Sequence, residues 1–251
     1  MLSSRAGVVY KPTENGRLYL SWGNSFNPTV ESLTGNGRGL DGNTQVLAPE
    51  RSEAWELGSK WSLLDHTLEL DAALFHIVKH NARETLASGA TQLSGKQRVQ
   101  GVELGLTGRL SPQWNVFANF TFLDSQTLEA APGNTSSAAK GHALANTPPR
   151  SLNLWTTYDL GDAWTLGYGA RHVSQRNVTS STNAKLDAYW LHNAMLSYRV
   201  TEQLDLQLNV NNLFNKTYVE RVRQRIGSAA RSSAIEYGDA RAAVVTASYH
   251  F

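Results

Sequence analysis

The chain of 251 residues contains no cysteine and only two methionines. Without cysteine it has no disulfides, no thiolate metal sites and no cysteine nucleophile. No apolar run approaches the ~20 residues of a membrane-spanning helix, and the first five residues (MLSSR) lack the apolar core of a secretory signal peptide. The chain also lacks a large excess of charge of either sign, because 23 basic and 21 acidic residues give a net charge of +2. Composition therefore gives no electrostatic case for nucleic acid as a partner.

Apolar residues on alternate positions are abundant in the chain, and a period of two is typical of β-strands with one apolar side. Residues 114–122 show it, with Trp114, Val116, Ala118, Phe120 and Phe122 in one phase. No comparable stretch keeps a helical period, so the pattern predicts an all-β protein. We place eleven strands at 5–11, 17–26, 50–62, 67–80, 96–110, 114–123, 149–160, 164–174, 185–200, 204–214 and 240–251.

The connections between these predicted strands alternate between short and long. In chain order they contain 5, 23, 4, 15, 3, 25, 3, 10, 3 and 25 residues. The short ones carry turn residues such as Asn15-Gly16 and Ser111-Pro112. Tight turns at one end and long loops at the other are typical of outer-membrane barrels. The sequence thus predicts an antiparallel transmembrane β-barrel meander of ten to twelve strands. Its outward apolar face should carry Leu106, Leu154, Leu166 and Leu206.

Aromatic residues of the apolar phase concentrate near the strand ends, where amphipathic rings line membrane interfaces. One group lies near the short turns: Trp61, Trp114, Tyr158, Trp164 and Tyr198. A second group lies near the opposite ends: Trp22, Phe120, Phe122 and Trp190. The alternative interpretation makes them core residues of a soluble β-sandwich, which gives no reason for this concentration at strand ends.

Several segments then resemble one family in sequence and in order. They are residues 53–60 (EAWELGSK), 75–83 (FHIVKHNAR), 95–104 (GKQRVQGVEL), 146–150 (NTPPR), 154–158 (LWTTY), 208–218 (LNVNNLFNKTY) and 249–251 (YHF). Together the segments resemble the C-terminal half of a TonB-dependent siderophore receptor. The stretch from residue 75 to residue 109 is most similar to the catecholate-type and related hydroxamate-type receptors.

The resemblance implies an outer-membrane receptor that takes up ferric siderophores with energy supplied by TonB. It also implies a barrel of 22 strands, a plug domain and a short segment that contacts TonB. We expect residues 1–251 to be the C-terminal part of the barrel, with the plug and the first half of the barrel absent. Partners are then the ferric siderophore, the TonB system through the missing plug, outer-membrane lipid and lipopolysaccharide, and the barrel-assembly machinery. No cofactor is expected besides the transported ligand.

Two other interpretations stay open. The chain is a passive porin-like or structural barrel without a TonB partner, or it is a non-functional truncated copy. An enzyme is not expected, since the sequence contains no G-x-S-x-G elbow, no P-loop and no G-x-G-x-x-G. A metal site is not expected either, because His76 and His80 share a strand face ~13 Å apart, too far for one ion.

Candidate ligand contacts lie in the loop 215–239, where Arg221, Arg223 and Arg225 form a basic run. Between residues 216 and 231 only Glu220 opposes the basic residues. Ferric catecholates are strongly anionic, and the arginine fork donates two parallel hydrogen bonds to such oxygens. Alternatively, these arginines are solvated, contact lipopolysaccharide phosphates or pair within the barrel wall.

The C-terminal strand is a separate candidate element, because Tyr249 and Phe251 end its apolar phase. By resemblance to other outer-membrane proteins, these two residues form the signal that the barrel-assembly machinery reads. They also close the barrel as an ordinary last strand, and the two roles are compatible.

Overall fold

The computed structural model describes residues 2–27, 48–85, 91–131, 139–178, 184–224 and 233–251. Within these ranges no helix is long and apolar enough to cross a membrane. The strands there are β1 (Arg5–Thr13), β2 (Gly16–Asn27), β3 (Glu50–Leu63), β4 (Leu68–Thr85), β5 (Thr91–Ser111), β6 (Trp114–Glu129), β7 (Arg150–Leu160), β8 (Trp164–Val173), β9 (Arg176–Asn177), β10 (Lys185–Leu186), β11 (Tyr189–Arg199), β12 (Leu204–Asn211), β13 (Val219–Gln224), β14 (Ser233–Tyr237) and β15 (Ala242–Tyr249).

Eleven of these strands form one antiparallel sheet in the order β1-β2-β3-β4-β5-β6-β7-β8-β11-β12-β15. Neighbours in the sheet follow each other along the chain, apart from two small hairpins set into connections. The β9–β10 pair lies between β8 and β11, and the β13–β14 pair lies between β12 and β15. The predicted all-β antiparallel meander of eleven strands is therefore confirmed.

The register gives the sheet one apolar and one polar face. Leu57 pairs with Leu20 on one side and with Leu74 on the other, and all three side chains are exposed. Farther along, Leu166 pairs with Leu196, which pairs with Leu208 in the next strand. Since paired residues point to the same side, the apolar phases of successive strands line up. The four leucines expected on this face, Leu106, Leu154, Leu166 and Leu206, all occupy its phase.

The opposite face carries hydrogen-bonded polar side chains. The Tyr19 hydroxyl donates to Glu56 Oε1 over 2.5 Å, and Ser62 Oγ donates to Glu69 Oε1 over 2.6 Å. Lys60 Nζ lies 3.9 Å from Asp71 Oδ1, with both side chains about half exposed. Exposed ion pairs of this kind contribute about 0–1 kcal/mol. The charged side chains of this face thus form a network that sets the polarity of the face more than its stability.

Three strands in the middle of the sheet are longer than the alternation predicted. The strands β4, β5 and β6 extend beyond the predicted ends at residues 80, 96 and 123. The extensions contain register shifts, including one next to Asn81, which has φ 55°. Such shifts interrupt the period of two, so the sequence pattern stops before the pairing does. Conversely, the predicted strand 185–200 is divided between β10 and β11.

Aromatic rings of the apolar face meet in pairs at both ends of the sheet. Next to the short turns, the ring centroids of Trp114 and Tyr158 are 6.4 Å apart, and those of Trp164 and Tyr198 are 4.2 Å apart. Near the opposite end, Trp22 lies 6.2 Å from Trp55. These cross-strand pairs add about 0.5–1.5 kcal/mol each beyond area burial. The two aromatic groups predicted from the sequence are therefore rows that run across neighbouring strands.

Candidate functional site

A polar cavity of about 450 Å³ opens on the polar face, at the end where the long connections lie. Its lining comes from the sheet and from the connections above it: Asn146, Pro148, Ser151, Asn153, Arg171, Val173, Arg176, Tyr189 and Glu220. A cavity with convergent polar and charged side chains at one end of a scaffold is a common form of ligand site.

The sheet places five of these side chains by register. Val173 pairs with Ser151 on one side and with Tyr189 on the other, while Arg171 pairs with Asn153. All occupy the polar phase, since they alternate along their strands with residues of the apolar face. Tyr189 and Val173 are buried and pack together in a small cluster with Leu191. This cluster fixes the floor of the cavity, so Arg171 and Tyr189 keep a defined spacing.

Arg176 is the most unusual group of the cavity, because it is a cation with only 5% of its surface exposed. Its Nη2 donates to the carbonyl oxygens of Val219, at 3.2 Å, and of Glu220. Its guanidinium carbon lies 5.7 Å from the centre of the Tyr189 ring. Nη1 has no hydrogen-bond partner among the described residues. Burying a cation without a paired anion costs free energy, and an anion bound here offsets part of that cost.

The charges around the cavity favour an anionic ligand. Burial lowers the pKa of Arg176, and the positive charge of Arg171 acts in the same direction. Arg171 itself is exposed, and among the described residues that line the cavity the one carboxylate is Glu220. The Tyr218 ring packs 4.5 Å from the Tyr189 ring, and burial raises its pKa, so Tyr218 stays a neutral phenol. Two arginines beside two tyrosines suit a ligand that is both anionic and aromatic.

The loop arginines predicted as ligand contacts lie in and next to the β13–β14 hairpin. Arg221 pairs with Glu236 across the hairpin, and Arg221 Nε donates to Glu236 Oε2. The backbone of Arg223 pairs with Ala234, whereas its side chain lies outside the described residues. Arg225 also lies outside them. Glu236 is thus a second acidic neighbour of this basic run, beyond the span in which the sequence shows only Glu220.

Sequence reasoning missed Arg171, Arg176 and Tyr189, although two of them give a signal. Arg171 is a cation in the polar phase of a strand whose apolar phase contains Tyr168 and Ala170, and Tyr189 is an aromatic in the polar phase of its strand. Arg176 follows the strand and gives no such signal. Its place in the cavity depends on the β13 segment more than 40 residues later in the chain.

The predicted assembly signal lies at the free edge of the sheet. β15 pairs with β12 on one side, and Tyr249 stands opposite Leu204. The rings of Tyr249 and Phe251 meet edge to face with their centroids 5.2 Å apart, and both are exposed. His250 links the chain end to the neighbouring turn, since its amide donates to the Gln203 carbonyl over 2.9 Å.

Metal-binding geometry does not occur in the part of the chain that the structure describes, where no three His, Asp or Glu side chains converge on a possible ion. His76 Nδ1 lies 3.0 Å from Gln100 Oε1, a contact between neighbouring strands.

An antiparallel meander with aromatic rows on its apolar face and a polar opposite face defines a class of protein, the transmembrane β-barrels. The more specific assignment comes from comparison with known families. The model of the family "TonB dependent receptor-like, beta-barrel" matches residues 1–213. The chain therefore belongs to the TonB-dependent receptors, whose barrels lie in the bacterial outer membrane. The family consists of receptors and transporters, not enzymes.

Individual relatives match nearly the whole chain. A probable TonB-dependent receptor of Bordetella pertussis, BfrD, is 36% identical over 227 residues, which are 87% of this chain and 30% of BfrD. The catecholate siderophore receptor Fiu of Escherichia coli K12 is 32% identical over 100% of this chain and 33% of its own length. The crystal structure of the siderophore receptor PiuA from Acinetobacter baumannii superposes with a TM-score of 0.84 at 33% identity, covering 97% of this chain and 35% of PiuA. The chain thus spans about a third of the length of the relatives it matches.

Proposed function

We propose that the chain forms the C-terminal part of the wall of an outer-membrane receptor that takes up ferric siderophores with energy from TonB. The observation that favours this function is the arginine- and tyrosine-lined cavity on the polar face, at the end where the long loops lie. In outer-membrane barrels the long loops are extracellular and the short turns periplasmic. The cavity then opens toward the medium, where a siderophore arrives.

The chemistry of the cavity favours a catecholate ligand. Ferric catecholates combine aromatic rings with anionic oxygens, which accept charge-assisted hydrogen bonds from guanidinium groups. Arg176 has an Nη1 without a partner among the described residues, and Arg171 is exposed beside it. Tyr189 and Tyr218 offer aromatic surface. The name of the relative Fiu supports the same ligand class, and the name of PiuA supports a siderophore as ligand.

Replacing both cavity arginines, Arg171→Gln with Arg176→Gln, should weaken binding of a ferric catecholate by the receptor at least tenfold. Charge-assisted hydrogen bonds contribute about 1.5–3 kcal/mol each, and about 1.4 kcal/mol corresponds to a factor of ten. The measurement is a binding isotherm with the ferric complex at low salt. Arg199→Gln is the matched control, because the exposed Arg199 lies on the polar face at the opposite end and pairs with the half-buried Asp205.

A second arm tests the loop arginines in the same assay, with Arg221, Arg223 and Arg225 all replaced by Gln. The pair of Arg221 with Glu236 competes with a ligand contact, so we expect this triple variant to lose less affinity than the cavity variant. An unchanged isotherm for the cavity variant would exclude the cavity as the ligand site. Uptake that continues in cells without TonB would favour a passive porin instead.

Tyr249 and Phe251 are proposed to be recognised during assembly, because both rings are exposed beside the open edge of β15. Phe251→Ala should lower the amount of folded receptor in the outer membrane several-fold, as measured by immunoblotting of membrane fractions. Phe214→Ala is the control, since it removes another exposed phenylalanine ring outside the sheet. Equal membrane levels of the two variants would show that the terminal ring has no special role.

A further inference from the structure

The polar cavity has charges of both signs in its lining. Arg171 lies on β8 and Arg176 on β9. Glu220 lies on β13, more than 40 residues later in the chain, and it is the one carboxylate among the described lining residues. Other polar groups of the lining, such as Asn146 and Asn153, are uncharged amides. The cavity is therefore bipolar, with two cations from β8 and β9 and a carboxylate from β13.

Main-chain contacts, and not an ion pair, hold Glu220 beside Arg176. Arg176 Nη2 donates to the carbonyl oxygens of Val219, over 3.2 Å, and of Glu220. Glu220 is exposed, and its carboxylate makes no ion pair with any other residue that the structure describes. The contact with Arg176 therefore fixes the backbone of Glu220 and leaves the carboxylate oxygens available to a ligand.

The base of the β13–β14 hairpin is fixed as well. Asn212 Nδ2 donates to the carbonyl oxygens of Lys216 and Asp239, both over 2.9 Å, and Asn212 Oδ1 accepts from the Lys216 amide over 2.8 Å. Nearer the cavity, the Tyr218 ring packs on the Tyr189 ring with the centroids 4.5 Å apart. These contacts set the position of β13 beside the sheet, and with it the position of the carboxylate.

The charge of this carboxylate reaches groups that a ligand in the cavity contacts. Burial lowers the pKa of Arg176, and the negative charge of Glu220 opposes that shift. Burial raises the pKa of Tyr218, and the charge of Glu220 adds to that shift. A charge that acts on the guanidinium and on the phenol also acts on a ligand beside them, because Coulomb interactions at a partly exposed site extend over several ångströms.

The two signs of charge have opposite effects on a ligand that is only anionic. Arg171 and Arg176 attract its oxygens, whereas Glu220 repels them. A ligand that carries an ammonium group beside its oxyanions satisfies both, because the ammonium donates charge-assisted hydrogen bonds to the carboxylate. Specificity is a difference of affinities, and a repulsive group contributes to it as an attractive group does. The same carboxylate thus disfavours one ligand and favours the other.

We propose that Glu220 determines specificity within the ligand class: the cavity prefers a ferric catecholate that carries an ammonium group over one that lacks it. This inference rests on the proposed function, since it concerns the ligand that the same cavity takes. The arginines alone do not supply this selection, because cations favour the more anionic of two ligands.

The test uses two catechol amides that differ by one charge. One ends in a primary amine, and the other ends in the N-acetylated form of that amine. The ferric complex of each is titrated against the complete receptor at low salt. Wild type should bind the ammonium complex at least about fivefold more tightly, which is the upper range for an exposed ion pair. Glu220→Gln should abolish this preference, since the amide neither attracts the ammonium group nor repels the oxygens.

Asp187→Asn is the matched control, because it removes an exposed carboxylate at the same end of the sheet, and Asp187 is not among the described lining residues. This variant should keep the wild-type ratio of the two affinities. A ratio that Glu220→Gln leaves unchanged, with both complexes still bound, would overturn the specificity and leave the proposed function standing. Wild type that binds neither complex would refute the proposed function, and the specificity with it.

A salt series with the wild-type receptor tests the same point without any substitution. Exposed charges are screened over about 8–10 Å at ordinary ionic strength, so added salt should narrow the ratio between the two complexes. The arginine contacts weaken for both complexes alike and cancel in the ratio. A ratio that stays constant from low to high salt would contradict the role of Glu220, even if Glu220→Gln does not fold.

Discussion

Leu154→Arg should lower the stability of the barrel in its membrane by about 2–4 kcal/mol, the cost of an arginine on the lipid face at mid-depth. Leu154 lies midway along β7 between Arg150, the first residue of the strand, and Tyr158, in the aromatic row beside the short turns. Its neighbours in the register are the small residues Ala118 and Ala170. An arginine here has no polar partner at its own level and is too far from either interface for its guanidinium to reach water. The measurement is the denaturant midpoint of the receptor in lipid vesicles, together with its level in outer membranes.

The matched control for this substitution is Asn119→Arg. Asn119 follows Ala118 in β6 and is exposed on the polar face, where the nearby lining includes Asp71 and Glu103. The same side chain then enters water beside carboxylates, and we expect a change of less than about 0.5 kcal/mol. A control that is destabilised as much as Leu154→Arg would mean that the two faces are assigned the wrong way round.

Gly108→Ala should destabilise the sheet by about 3 kcal/mol or more. Gly108 has φ 136°, a conformation that residues with a Cβ rarely adopt, and a Cβ here would lie 2.1 Å from the carbonyl oxygen of Thr67. That carbonyl accepts a hydrogen bond from the Arg109 amide over 2.7 Å. The backbone at Thr67 therefore cannot move away from a Cβ at position 108 without losing this hydrogen bond. Backbone strain and overlap of this kind cost about 1–3 kcal/mol each. The denaturant midpoint in lipid vesicles is again the measurement.

Gly23→Ala is the appropriate comparison, because Gly23 also lies within a strand of the sheet. The nearest atoms to a Cβ at Gly23 are 3.4 Å and 3.6 Å away, which is ordinary contact. We expect at most a small change, since alanine also restricts the unfolded chain. Similar midpoints for the two alanine variants would refute the strain at Gly108.

The meander was predictable because each strand shows its own period of two, and the turn residues mark where it ends. The sequence of a single strand does not predict which residues it pairs with in its neighbours. The apolar phases of neighbouring strands nevertheless line up, because one face of the sheet contacts lipid. The extensions of β4 to β6 were not predicted, because the register shift near Asn81 interrupts the alternation of apolar and polar residues. The β13–β14 hairpin was not predicted, because its strands show no alternating apolar pattern. Its cross-strand pair, Arg221 with Glu236, joins residues that are 15 positions apart in the sequence.

The cavity lined by arginine and tyrosine was the least predictable element. Arg171 and Tyr189 are placed by the pairing of β8 with β11, and Arg176 depends on carbonyl oxygens of residues 219 and 220. A run of arginines in one loop is easy to see in a sequence. Arg171 lies on a strand and Arg176 in a connection, so their proximity becomes apparent only once the strands are paired. These two arginines, and not the run in the loop, line the open cavity.

Among the residues that the structure describes, the eleven-stranded sheet has two open edges, β1 and β15, and the parity of the strand count relates them. In an antiparallel meander with an odd number of strands, the first and the last strand run in the same direction. An antiparallel seam at both edges therefore requires an odd number of additional strands between them. Two copies of this sheet joined edge to edge in the same membrane orientation would meet in parallel seams. Because unpaired edges are not tolerated in lipid, any polypeptide that completes an all-antiparallel wall must contribute an odd number of strands.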